Sequence, residues 1–211
     1  MPSPPPSPVE APPSSYFCTP DGAASGAPCS REENEAQLEP RALKFPLDDK
    51  SSKAWRADPA RMALLADTRR PGDVDPDAVD AIYFTGGHGV MHDFPDCPGL
   101  QAITRRIWEN GVVSSVCHGY CGLLNVTLTN GAHLVAGRNL TGFSWTEEVL
   151  ARVDKLVPYN VEQQVKDRGA LYHKAKLPFV PHVITDGRLI TGQNPASAKD
   201  TAQAVAAALS R

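Results

Sequence analysis

Apolar and polar residues along the chain fall into blocks, and the blocks sharpen after residue 80. Asp80-Ala-Ile-Tyr-Phe-Thr85 is a compact apolar run that predicts a strand buried on both faces. Leu100, Ile103, Ile107 and Trp108 recur at helical spacing, with Pro98 suited to the first turn and Asn110-Gly111 to the end. Val112-Val-Ser-Ser-Val116 predicts a second buried strand, and Leu123, Leu124 and Val126 a short helix after it. A shorter strand is expected over residues 139–143. Ser144-Trp-Thr-Glu147 has capping-box spacing and predicts a helix with Val149, Val153 and Leu156 on its apolar face. Val161 and Val165 mark another helix, ending near Gly169. His182–Thr185 and Arg188–Thr191 flank Asp186-Gly187, a hairpin signal. Ser197 is expected to cap a last helix with Ala202, Val205, Ala206 and Leu209 on one stripe.

Strands alternating with helices predict an α/β fold, a mostly parallel sheet with helices on both faces. The front of the chain reads differently. Residues 1–14 are expected to form a proline-rich disordered or polyproline tail, because proline lacks an N–H and fixes φ. The domain is then residues 15–211. Within it, residues 15–19 are a strand candidate, Thr19-Pro-Asp-Gly22 a turn, 23–59 an excursion with little regular structure, and 60–66 a short helix.

Composition narrows the function classes. The 211 residues carry 21 Lys and Arg against 24 Asp and Glu, a net charge of −3, which argues against nucleic acid as the main partner. No apolar run is long enough for a membrane span, and no secretory signal is visible after Met1. Five cysteines without a CxxC pair argue against a disulfide framework or a zinc module, so a reducing, cytoplasmic location is expected.

The candidate chemistry sits where the two apolar strands end, as expected of open α/β sheets. Gly86-Gly87-His88-Gly89 follows the first strand, and its glycines permit close backbone approach and free N–H groups, as an oxyanion or substrate site requires. Taken alone, it is also an ordinary tight turn. Val116-Cys117-His118-Gly119 follows the second strand and has the form of a nucleophile elbow with cysteine at its tip. A helix start there would favour the thiolate. His118 is the candidate base, and Glu147 and Glu148 are candidate acids to orient it. Glu147 fits the capping box, which leaves Glu148 for the triad. No HxxxH or HExxH pair supports a metal site, and His92, His133 and His173 read as surface or packing residues.

These runs resemble the DJ-1/PfpI superfamily, in its Hsp31-like glyoxalase III branch (class I glutamine amidotransferase-like). The likeness rests on residues 80–89 and Val116-Cys-His-Gly119. It extends to Leu140-Thr-Gly-Phe143 with Glu147-Glu148, to Thr191-Gly-Gln-Asn-Pro-Ala-Ser197, and to Thr19–Gly22, which is similar to a Ser-Pro-x-Gly turn. The resemblance implies a flavodoxin-like three-layer α/β/α sandwich, a homodimer, and conversion of the 2-oxoaldehyde methylglyoxal to D-lactate without glutathione, metal or cofactor. It assigns Cys117 as nucleophile, His118 as its partner and Glu148 as third member. Gly86, Gly87 and His88 become the oxyanion and substrate-binding turn, with the Gly87 and His118 N–H groups facing the oxyanion. Two departures stand out. Tyr120-Cys121 replaces a Pro-Ala pair, which is expected to add bulk at the pocket mouth and places a second thiol four residues after Cys117. The family's N-terminal strand and helix, which carry a catalytic Glu, have no counterpart here, where Glu10 is the sole acid before the turn. That predicts weak or absent glyoxalase activity. A non-catalytic chaperone, a cysteine redox or stress-response protein, and a cysteine peptidase or amide hydrolase stay open as alternatives.

Overall fold

The computed structural model describes residues 50–64 and 69–210. The proline-rich tail, the 15–19 strand, the 19–22 turn, Glu10, Cys18 and Cys29 lie outside the described residues.

Four strands form one sheet: β1 (Ala81–Phe84), β2 (Val112–Val116), β5 (Val183–Asp186) and β6 (Leu189–Gly192), in the order β1-β2-β6-β5. β1, β2 and β6 are parallel, in the register Ala81↔Val112 and Val113↔Leu189. β5 joins antiparallel through a hairpin at Gly187, whose φ of 60° suits the Asp-Gly turn. A separate parallel pair, β3 (Asn139–Leu140) and β4 (Leu171–Tyr172), is the short strand expected near residue 139.

Helices cover both faces, and β2 shows why. Its Val113 packs with Leu189 against Ile103 and Ile107 of α4 (Pro98–Asn110), while its Val112 packs with Ile190 against Val205 of α7 (Ala198–Leu209). Alternate side chains of one strand thus feed two cores, and all five β2 residues are buried. Among the described residues no helix is long and apolar enough to cross a membrane.

Several elements depart from the pattern reading. α1 (Lys50–Ala57) lies in the stretch expected to lack regular structure. Its Lys, Ala and Arg residues are good helix formers, but so polar a segment has no apolar period to reveal it. α2 (Pro59–Leu64) matches the expected short helix, its start held by the Asp58 carboxylate accepting from the Ala60 N–H at 3.0 Å. β1 is half-buried except at Phe84, because β2 is its one partner among the described residues. The segment after β2 is not an α-helix but a fully buried 3₁₀ turn, Cys117–Leu123. Two glycines in seven residues weaken the α preference, and packing from all sides sets the tighter winding.

Two apolar stripes were also misplaced. Ser197 stands at the N-cap position of α7 as expected, but its side chain makes no capping bond: its hydroxyl donates to the Asn194 side chain and accepts from the His182 N–H. The buried side of α7 is Thr201 and Val205 with Ala204 and Ala208 packed beside them, whereas Leu209 is 47% exposed. On α5 (Trp145–Ala151), Val149 is exposed, as is Leu156 beyond the helix end at Arg152, and the buried residues are Glu147 and Glu148. Short α3 (Val90–Asp93) and α6 (Val161–Asp167) complete the shell.

Gly119 is the tightest joint between β1 and the turn after β2. A Cβ there would lie inside van der Waals contact of the Phe84 and Thr85 carbonyl oxygens. Gly119→Ala should therefore destabilise the fold by about 1–3 kcal/mol. The check is urea unfolding, read as a lower midpoint with an unchanged slope.

Candidate active site

The ends of β1 and β2 converge at Cys117. The residue has a left-handed backbone (φ 56°), which turns its side chain sharply off the strand axis. Gly86, at the exit of β1, makes this possible: a Cβ on it would come within 2.6 Å of the Cys117 Cβ. Gly87 then swings to φ 118°, a conformation that glycine adopts freely. The Gly87 and His118 backbone N–H groups both favour the Cys117 thiolate.

The Cys117 Sγ lies 3.2 Å from His118 Nδ1, and His118 Nε2 lies 2.6 Å from Glu148 Oε1. The contact to an ionised carboxylate assigns the imidazole proton to Nε2 and leaves Nδ1 as an acceptor facing the thiol. His118 packs against Phe143 and His88, with ring centroids 4.6 and 4.1 Å away. Burial pulls its pKa below the ordinary imidazole value, outweighing the opposing pull of Glu148. Burial also disfavours ionisation of Glu148, but hydrogen bonds from His118 and His88 outweigh it and hold the carboxyl down at about 2. The pair therefore rests as a neutral imidazole and a carboxylate.

The thiol behaves opposite to the helix-start expectation. Burial pushes Cys117 up to about 12, against the two backbone N–H groups that favour the thiolate. The turn is 3₁₀ and closed off from solvent, so desolvation dominates. What the arrangement can do is form a thiolate on demand, by transfer of the Sγ proton to Nδ1.

Glu147 and Glu148 are adjacent yet face different partners. The Glu147 carboxylate accepts from the Ser144 N–H and hydroxyl, from the Phe179 N–H at 2.8 Å and from Asn194 Nδ2 at 2.9 Å. The capping box is complete, and its acid also ties the loop before β5 to the Gly-Gln-Asn-Pro segment. Sequence reasoning missed this link. Asn194 sat in a motif already singled out, but nothing local names its partner 47 positions away.

One further expectation is corrected, at Tyr120, and the His88 imidazole has a partner that the sequence did not name: its Nε2 meets Glu148 Oε2 at 3.2 Å. Tyr120 adds no bulk at a pocket mouth. It is fully buried, its hydroxyl donates to the Phe143 carbonyl at 2.8 Å, and a Cβ on Gly142 would collide with its ring. Cys121 is also buried, with its thiol directed to the Val90 carbonyl at 3.3 Å. Among the described residues, the metal-competent donors that cluster are His88, His118 and Glu148, within 4.8 Å of one another. The two Nε2 atoms are engaged as donors to the carboxylate, so the set is a closed hydrogen-bonded array.

A sequence model of the DJ-1/PfpI family matches residues 52–208. The chain is 35% identical over 170 residues to the probable glutathione-independent glyoxalase hsp3103 of Schizosaccharomyces pombe, covering 77% of this chain and 62% of that protein. It is 38% identical over 146 residues to the glutathione-independent glyoxalase HSP31 of Saccharomyces cerevisiae, covering 65% and 61%. The chain thus spans a little over three fifths of the length of these curated relatives. Among solved structures, it is similar to the 24 kDa rapid encystment protein of Francisella tularensis, with a TM-score of 0.74 and 33% identity over 78% of this chain and 73% of that one. Glyoxalase III from Candida albicans follows at 0.70 and 30%, over 82% and 74%. The mostly parallel sheet, the strand-end turns and these matches agree: the chain belongs to the DJ-1/PfpI family.

Proposed function

We propose that this chain is a glutathione-independent, glyoxalase III-type lyase that converts methylglyoxal and water to D-lactate, with Cys117 as nucleophile, His118 as base and Glu148 as the acid that orients it. The observation that carries this is the unbroken line Sγ–Nδ1 at 3.2 Å and Nε2–Oε1 at 2.6 Å among three buried side chains. The glyoxalase names of the relatives support it.

In this reading the thiol proton passes to Nδ1 as sulfur attacks the aldehyde carbon, and the protonated imidazole then donates to the new oxyanion. The Gly87 and His118 N–H groups, which favour the thiolate, are in this reading the donors that hold that oxygen as it forms. The product is a hemithioacetal. His118, neutral again after protonating the oxyanion, takes the carbon-bound proton to give an enediol and returns that proton to the neighbouring carbon to give a lactoyl thioester. Water then cleaves the thioester, releasing lactate and the thiol. One carbon is oxidised and its neighbour reduced, so the cycle needs no external redox partner. The same reading includes a homodimer and a cytoplasmic location.

Incubating the 211-residue chain with methylglyoxal and no glutathione should yield D-lactate, slowly because no counterpart of the family's N-terminal Glu was found, and Cys117→Ala should abolish even that rate while the protein stays folded. Absence of lactate from the folded chain overturns the glyoxalase reading.

The two glutamates should separate cleanly. Glu148→Gln should lower kcat by roughly 10²–10⁴ with a small change in Tm. Glu147→Gln should mainly lower stability, by about 1–3 kcal/mol, because it disturbs a buried acceptor with four donors. Equal kinetic losses would reverse the assignment.

The pH dependence has a definite sign. Protonating His118 removes the acceptor, and its pKa is depressed, so kcat should hold through pH 7 and fall on the acid side of 6.5. The carboxyl of Glu148 has a folded value of about 2 against an ordinary 4.5, so its contribution to stability is present above 4.5 and is lost as pH falls towards 2. Denaturant unfolding at stepped pH should show this acid-side loss in the parent chain and a shallower one in Glu148→Gln.

A further inference from the structure

The Glu148 carboxylate has two oxygens and gives one to each of two imidazoles. Oε1 takes His118 at 2.6 Å and Oε2 takes His88 at 3.2 Å. The two rings also lie against each other, with centroids 4.1 Å apart and planes inclined by 45°. Their surroundings differ. The side chains of His118 and Glu148 are 2% and 5% exposed, while that of His88 is 38% exposed. The Gly-Gly-His-Gly turn therefore does two separate jobs: its Gly87 N–H favours the Cys117 thiolate, and its imidazole bonds the acid behind the base.

We propose that His88 is a positioning residue that sets the carboxylate of Glu148 and, through it, the orientation and basicity of His118. A carboxylate held by one hydrogen bond can rotate about its terminal torsion, which has broad preferences. Held at both oxygens, it presents Oε1 to His118 in one orientation, and the ring of His88 covers a side of His118 adjacent to the one that Phe143 covers. Loss of His88 leaves Oε2 without that donor and one face of His118 open. The imidazole can then tilt away from the sulfur, whose reaction depends on a single 3.2 Å contact. This rests on Cys117 and His118 being thiol and base, but not on which aldehyde the site takes.

The test uses the full chain and a readout that needs no substrate: the rate at which iodoacetamide alkylates Cys117, followed by peptide mapping as a function of pH. His88 is partly exposed, so His88→Ala should fold with a Tm close to the parent, yet alkylate Cys117 roughly tenfold more slowly near pH 7. His88→Gln, which keeps a side-chain N–H donor, should recover most of that rate. In a Glu148→Gln background, His88→Ala should have little further effect, because the residue acts through the carboxylate. Equal rates for His88→Ala and the parent, or full additivity with Glu148→Gln, would overturn the proposal. An alkylation rate indifferent to His118→Ala would instead overturn the reading of His118 as base, so the two failures are distinguishable.

Discussion

The site depends on how closely the ends of β1 and β2 approach each other. Gly86 lies against Cys117, and Gly119 lies against the Phe84 and Thr85 carbonyls. No side chain fits at either contact. With both strand ends pressed together, Cys117 is left with a left-handed backbone against Gly86. A left-handed non-glycine residue costs of the order of 1–3 kcal/mol and persists only where its surroundings over-determine it. Here they do: the whole 117–123 turn is buried.

The second organising feature is a pair of carboxylates buried on a helix face where the apolar pattern had placed valine and leucine. Burying a carboxylate is unfavourable unless donors surround it. Glu147 receives backbone and side-chain donors from Ser144, Phe179 and Asn194, and Glu148 receives two imidazoles. The neighbouring acids are held differently. One is fixed by backbone and amide groups and secures the frame, and the other is fixed by groups that can exchange protons. The frame around Glu147 in turn holds α5 in place, which keeps Glu148 within 2.6 Å of His118.

Burial also decides how the thiol works. A solvent-exposed cysteine at a helix start is a standing thiolate, and a sealed one is a neutral thiol that needs an adjacent base. Cys117 is of the second kind, and His118 is the neighbour with a free acceptor nitrogen. A buried neutral thiol of this kind is less open to adventitious oxidation than an exposed thiolate.

Much of the fold was legible in the chain itself. The apolar runs at 80–85 and 112–116, the Asp-Gly hairpin and the Ser144 capping box are local signals, set by side-chain period and turn chemistry, and each matches the structure within a residue or two. The adjacency of Cys117 and His118 was likewise written in sequence, as was the glycine-rich turn before them. What the chain could not show by itself were contacts made across long separations. His88 meets Glu148 from 60 positions away, and Asn194 meets Glu147 from 47. Those partners turn the polar side of α5 inward and leave Val149 at the surface. The 3₁₀ winding after Cys117, the burial of Tyr120 and the raised thiol pKa belong to the same class. Periodicity reports which residues favour leaving water. Which polar groups can leave with them depends on the donors that the tertiary structure brings alongside.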